Sequence, residues 1–294
     1  MDQPADDIAQ IARTVWAALV QAGLIAAQDR MTRVFGGRTN MVWWITTPGG
    51  PLICKLARQW RDTPLFPNLP RDEGAALLAL ADTGLAPRLR AMLTTPSGPC
   101  LVYNACPGAP WANDAGPVGA LLARLHRVEP PKNLRRVSIT SQAILAGGDA
   151  MLLLLAKPGD LVARRPRVRP DDAMIGAAVF LHGDPVPGNI IVQIGTAPVL
   201  IDWQCPALGD PVHDLALFLS PAMQTLGRGA PLSSVERAAF LQGYANPEVA
   251  HRLSLVEAAL SWRMAVYCAW RIVRGHADYG PAMNAELDHL QQLR

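Results

Sequence analysis

The chain has 294 residues, 50% of them hydrophobic, 17% charged and 6% aromatic, which supplies a sizeable core and excludes a disordered or collagen-like chain. Lys+Arg 27 against Asp+Glu 24 leaves a net charge of +3, too small and too dispersed to mark a nucleic-acid-binding protein. Cys54, Cys100, Cys106, Cys205 and Cys268 are odd in number and free of CxxC spacing, so neither a disulfide framework nor a sulfur-rich zinc site is expected.

The opening residues, MDQPADDIAQ, carry adjacent acids and no basic region before the apolar stretch, so no secretory signal is expected and a cytoplasmic setting is the default. Ile8, Ile11, Val15 and Leu19 then recur at the spacing of a helix over 8–22 with one buried face. RVFGGRTNMVWWITTPGGPLICKLA predicts strand, glycine turn, strand, PGG hairpin turn and strand, because β-branched and aromatic residues flank turn formers. PRDEGAALLALADTG switches to helical period, with proline ahead of the first turn and glycine after the last. Glu73 shares its apolar face with Ala76, Leu77 and Leu80, so this carboxylate needs a partner.

Two further strands are expected around PSG at 96–98, and the glycines and prolines between Asn104 and Pro110 break the periodic pattern. The expected division is therefore an amino-terminal lobe at 1–105 and a carboxy-terminal lobe at 106–294, the latter opening with a helix at 116–127. PGDLVARRPRVRP reads as a solvated connecting loop, since prolines separate its arginines and no aromatic is interleaved. Near the end, LSLVEAALSWRMAVYCAWRIV is interrupted by Glu257, Arg263 and Arg271, which predicts an amphipathic or core helix and no membrane span.

The chemistry concentrates in 181–215, LHGDPVPGNIIVQIGTAPVLIDWQCPALGDPVHDL. Ile190–Ile194 and Val199–Ile201 predict an antiparallel hairpin whose open end brings Asn189 and Asp202 together, with Asp184 on the loop just before. Two oxygen ligands beside a carboxylate suit hard Mg²⁺ bridging phosphate oxygens. Phosphoryl transfer needs an aspartate for the attacking hydroxyl, an asparagine and a second aspartate for the metal, and a lysine on the nucleotide phosphates. Lysine occurs only at Lys55, Lys132 and Lys157, and Lys55 lies in a predicted strand 18 residues before Glu73. An ion pair between them would account for both oddities.

These segments resemble the aminoglycoside phosphotransferase and choline kinase superfamily. The matching pieces are FGGRTNMVW, ICKLA, PRDEGAALLAL, LLARLHR, HGDPVPGN and LIDWQCPALGDPVHDLA, in order over residues 33–216. The resemblance implies a bilobal, protein-kinase-like α+β fold, with a small antiparallel-sheet N-lobe, a larger mainly helical C-lobe, and phosphorylation of small molecules. It also implies Asp184 as the catalytic aspartate, Asn189 and Asp202 as magnesium ligands, and Lys55 on the ATP phosphates with Glu73 fixing it. Gly36, Gly37, Thr39 and Asn40 would cover the nucleotide. His182 would support the catalytic loop, and Asp210 and Asp214 the segment after the metal aspartate. HGD in place of HRD, IDW in place of DFG and the lack of GxGxxG favour a small hydroxylated acceptor over a protein.

Trp262, Val266 and Trp270 form a stripe on the last long helix, with Arg263, Tyr267, Arg271 and Arg274 beside it. Choline kinases place aromatics from this region around a quaternary ammonium, so the resemblance makes Trp262, Tyr267 and Trp270 candidate acceptor residues and an amino alcohol or choline-like compound the first acceptor class. Thiamine, aminoglycosides and sugars are other acceptors of the same chemistry. An arginine facing a bound ammonium would repel it, so either that face points away or the acceptor carries an anionic group. A nucleotide-binding pseudokinase is the alternative reading, and it would not require Lys55, Asp184, Asn189 and Asp202 together.

Overall fold

The computed structural model describes residues 5–35, 39–58, 63–138, 140–168 and 176–293. The chain divides into two compact units, Met1–Pro107 and Gly108–Arg294.

In the first unit, α1 (Ala5–Gln21) precedes β1 (Arg30–Val34), β2 (Met41–Thr46) and β3 (Leu52–Leu56); α2 (Pro70–Ala79), β4 (Leu89–Thr95) and β5 (Gly98–Asn104) follow. The strands make one antiparallel sheet in the order β1-β2-β3-β5-β4. Val15 and Leu19 of α1 pack against Met41, Trp43, Ile45, Cys54 and Val102 on one face. Successive strand residues point to opposite faces, so Lys55, next to Cys54, points away from α1. A Cβ on Gly74 of α2 would stand 2.2 Å from Met92 Sδ of β4, which shows how closely α2 lies on the sheet.

The second unit opens with β6 (Ala109–Pro110), α3 (Gly116–Leu125) and α4 (Ser141–Leu152). The segment following α4 contains a short 3₁₀ turn at Gly159–Leu161. Then come β7 (Val179–Leu181), β8 (Ile190–Val192), β9 (Val199–Leu200) and β10 (Ala207–Gly209). The helices α5 (Val212–Leu219), α6 (Pro221–Arg228), α7 (Ser234–Tyr244), α8 (Pro247–Ile272) and α9 (Tyr279–Gln292) complete it. Here β8 pairs with both β6 and β9, and β10 pairs with β7. Asn246 starts α8 by accepting the Glu248 and Val249 N–H groups, and α4, α5 and α9 pack against that helix. From Ala259 to Cys268, all residues of α8 but Arg263 are buried, as a helix apolar on most sides requires. The whole is the expected bilobal α+β architecture, with an antiparallel amino-terminal sheet and a larger helical carboxy-terminal unit. Among the described residues no helix is long and apolar enough to cross a membrane.

Candidate active site

Lys55 Nζ donates to both Glu73 carboxylate oxygens at 2.8 Å, and the two side chains are 2% and 1% exposed. The sheet supplies the lysine, and α2 supplies the acid from the same face as Ala76, Leu77 and Leu80. A desolvated pair with two short contacts fixes the ammonium in one place, a constraint that a surface lysine lacks.

The second cluster is built on the loop leaving β7. Asn189 Nδ2 donates to the Asp184 carbonyl at 2.9 Å and to its Oδ2 at 3.2 Å, closing the loop across five residues. The β8–β9 hairpin pairs Ile190 with Leu200, and Ile201 N–H donates to the Asn189 carbonyl at 2.9 Å. This register places Asp202 at the open end, one residue beyond the partner of Asn189. The strands are shorter than the expected Ile190–Ile194 and Val199–Ile201 because a turn closes over Gln193–Thr196. Asp202 has φ 60, a left-handed conformation that aspartate tolerates better than bulkier residues. Asp184, Asn189 and Asp202 are each half-buried.

His182 is fully buried, edge-on to Trp203 with ring centroids 4.4 Å apart. Its Nε2 faces the Ile201 carbonyl at 3.0 Å, which can only accept, and its Nδ1 faces the Asp184 N–H at 3.2 Å, which donates. These contacts select the neutral Nε2–H tautomer and engage both ring nitrogens, so His182 ties β9 to the loop and is not placed to act as a base. Gly183 has φ 84, and a Cβ there would stand 2.1 Å from the Cys205 carbonyl, so glycine is required between His182 and Asp184.

Beneath the loop lies Asp214 of α5, 0% exposed. Its Oδ2 accepts the His182 N–H at 2.8 Å and faces His126 Nε2 at 3.2 Å, while Oδ1 accepts the Gly183 N–H at 2.9 Å. Burial alone would push this carboxyl up, but the His126 hydrogen bond, with His213 close by, holds it well below the usual carboxylate range. His126 Nδ1 meets the Tyr244 hydroxyl at 2.9 Å, extending the network to α7. Asp210 accepts Gly176 N–H, Val212 N–H and the Arg252 guanidinium, tying the segment after β10 to α8. His126, Tyr244 and Arg252 are supports that no local sequence pattern marks.

Gly36 and Gly37 lie outside the described residues, and Thr39 is half-buried. Asn40 and Asn68 exchange side-chain hydrogen bonds at 2.8 and 3.3 Å, and Asn40 also accepts the Arg58 N–H. Asn40 thus clasps the start of β2 to the end of β3 and to the residues leading into α2. The aromatic stripe of α8 lies in the core: Trp262 is 0%, Tyr267 3% and Trp270 7% exposed. Trp262 donates its indole N–H to the Leu161 carbonyl at 2.8 Å and packs on Gly148, where a Cβ would come within 2.3 Å. Trp270 stacks on Tyr267, and the Arg274 guanidinium carbon lies 4.0 Å from its ring centroid.

The donor set suits a hard cation. The amide nitrogen of Asn189 is committed to Asp184, which leaves its oxygen, with the Asp202 carboxylate, as atoms that could hold a metal. Soft donors are withheld: burial foremost pushes the Cys205 thiol well up, and His182 has no nitrogen to spare. Among the described residues no group of three or more His, Cys, Asp or Glu forms a metal cage. Magnesium needs none, since it takes one or two protein oxygens and completes its shell with phosphate and water.

A bilobal fold with this loop, hairpin and ion pair defines the protein-kinase-like class. The chain belongs to the phosphotransferase enzyme family APH, whose model matches residues 30–255, and so to the aminoglycoside phosphotransferase and choline kinase superfamily of small-molecule phosphotransferases. No sequence match is found among curated proteins. Among solved structures, a choline/ethanolamine kinase family protein from Mesorhizobium loti superposes with TM-score 0.68 at 14% identity, covering 96% of this chain and 94% of that one. Choline kinase LicA from Streptococcus pneumoniae gives TM-score 0.67 at 17% identity over 96% and 99% of the two chains. Macrolide 2'-phosphotransferase MphH from Brachybacterium faecium gives 0.56 at 17% identity over 94% and 98%. The fold is shared across relatives whose acceptors differ.

Proposed function

We propose that the chain transfers the γ-phosphoryl group of ATP to a hydroxyl of a small metabolite, with an amino alcohol or choline-like compound as the first acceptor class. The observation that carries this reading is the Asn189 side chain closing on Asp184 while the β8–β9 register sets Asp202 beside it. Family membership supports phosphotransfer, and the choline kinase and choline/ethanolamine kinase descriptions of two structural relatives support the acceptor class.

In this reading Asp184 orients the acceptor hydroxyl and takes up its proton on the carboxylate as the oxygen attacks. Asn189, through its Nδ2–H bond to Oδ2, holds that carboxylate in one rotamer. Asn189 Oδ1 and the Asp202 carboxylate would hold Mg²⁺, which when bound neutralises charge on the phosphates. Lys55, fixed by Glu73, would bind the α/β-phosphates. Asp214 and His182 keep the loop rigid from below. ATP use fits a cytoplasmic setting.

A panel of hydroxylated metabolites incubated with Mg²⁺ATP, with products followed by mass, tests the proposal. Gain of one phosphoryl group on an acceptor supports it. Nucleotide binding with neither transfer nor hydrolysis would favour the pseudokinase alternative.

A further inference from the structure

The carbonyl of Cys205 lies between the catalytic loop and an arginine that no motif marks. Cys205 is 0% exposed, and a Cβ on Gly183 would come 2.1 Å from its carbonyl oxygen, so this oxygen is the wall against which the backbone entering Asp184 rests. The next residue is Pro206, so the peptide joining the two has no N–H and only its carbonyl can be hydrogen-bonded. Among the described residues that carbonyl takes one hydrogen bond, from Arg135 Nη2 at 3.0 Å.

Arg135 follows α3 and is itself anchored. Its carbonyl accepts the Leu208 N–H of β10 at 2.8 Å, and Val137 N–H donates to the Leu208 carbonyl at 3.0 Å, so residues 135–137 lie parallel beside β10. Gly209 permits this approach, since a Cβ there would stand 2.6 Å from Val137 Cγ2. On its β7 side, β10 pairs Ala207 with Leu181, and β7 leads directly into His182, Gly183 and Asp184. The arginine thus starts from the strands that launch the catalytic loop, and its head returns to the carbonyl that borders it.

The guanidinium is drawn inward against a penalty. Arg135 is half-buried, and its buried Nε has no partner among the described residues. An unsatisfied donor opposes this placement, and the charge-assisted bond to Cys205 offsets it. The same proximity is felt at the Cys205 thiol: burial foremost, and then Asp184, push it up, while Arg135 acts in the opposite sense.

We propose that Arg135 is a positioning residue for phosphoryl transfer: by holding the Cys205 carbonyl it fixes the Cys205–Pro206 peptide, and with it the path of Gly183 into Asp184. Asp214 holds the Gly183 N–H, and Arg135, through Cys205, limits where the Gly183 Cα can move. The effect on turnover rests on the phosphotransferase reading; the effect on the loop rests on the fold alone.

Two readouts on the full chain test it: amide hydrogen exchange of the peptide covering 181–186, and kcat against KM for ATP with a converted acceptor, measured well below Tm. Arg135→Met should speed exchange in that peptide about tenfold with the α8 core unchanged, and lower kcat about tenfold with KM for ATP unchanged. Arg135→Lys, which keeps a charged donor able to reach the carbonyl, should restore most of both. If Arg135→Met does not fold, Arg135→Gln, whose shorter side chain stops before the carbonyl, takes its place. Exchange or kcat at the wild-type value in the neutral variant overturns the proposal, and a lowered Tm alone would make Arg135 a strut of the sheet edge. Failure of lysine to restore the loop overturns it too, as does a raised KM for ATP, which would place Arg135 at the nucleotide. If the wild type converts no acceptor, the phosphotransferase reading fails, and the exchange comparison still decides whether Arg135 holds the loop.

Discussion

Asp214 Oδ1 accepts the Gly183 N–H at 2.9 Å, so a carboxylate on α5 carries the backbone immediately before Asp184. The same carboxylate takes the His182 N–H through its other oxygen. One buried charge thus sets the path of the loop, and Gly183 gives that path room beside the Cys205 carbonyl.

Asp214→Asn turns an amide N–H towards groups that already donate, and should cost about 3 kcal/mol of stability. The sign of the pH dependence follows from a carboxyl held below its unfolded value of about 3.9. Its contribution is complete above that value and is lost as pH falls below it towards the folded pKa. Urea midpoints from pH 7 to pH 3 should therefore fall more steeply for the wild type than for Asp214→Asn, and parallel curves would contradict the linkage.

Lys55→Met and Glu73→Gln should each reduce nucleotide-dependent activity, and their effects should be less than additive because both disrupt one ion pair. A double-mutant cycle on kcat/KM for ATP checks this. Independent effects would mean that Glu73 does not act through Lys55.

Asp202→Ala should weaken the apparent magnesium affinity more than Asn189→Ala does, since Asp202 supplies charge as well as oxygen. Magnesium titrations of the two variants at fixed ATP measure the difference. Asn189→Ala should in addition lower kcat at saturating magnesium, because Asp184 loses its Nδ2–H bond.

Trp262→Leu should lower Tm with little change in acceptor KM, because the indole is fully buried on Gly148 and bonded to the Leu161 carbonyl. A loss of about 2–4 kcal/mol matches truncation of a buried aromatic. A raised acceptor KM with unchanged Tm would return Trp262 to the acceptor site.

Much of this arrangement is legible in the sequence where chemistry is locally conspicuous. Lys55 stands out because lysine is scarce, and Glu73 because an acid on an apolar helical face needs a partner. The hairpin shows through two apolar runs around a turn, and its register brings Asn189 towards Asp202. Long-range pairs are not legible, since nothing in the periodicity links Asp210 to Arg252, 42 residues away, or His126 to Asp214. Nor can the stripe on α8 reveal its surroundings, because Trp262, Val266 and Trp270 repeat identically whatever the face meets; only the structure places Trp262 against Gly148 of α4 and the Leu161 carbonyl.

Asp184→Asn is the most direct test of phosphoryl transfer at this loop. Conversion of a hydroxylated acceptor by wild type and variant, followed by product mass at saturating Mg²⁺ATP, should show kcat falling by about 10²-fold or more, with ATP affinity and Tm nearly unchanged. Near-normal turnover by Asp184→Asn would contradict the account.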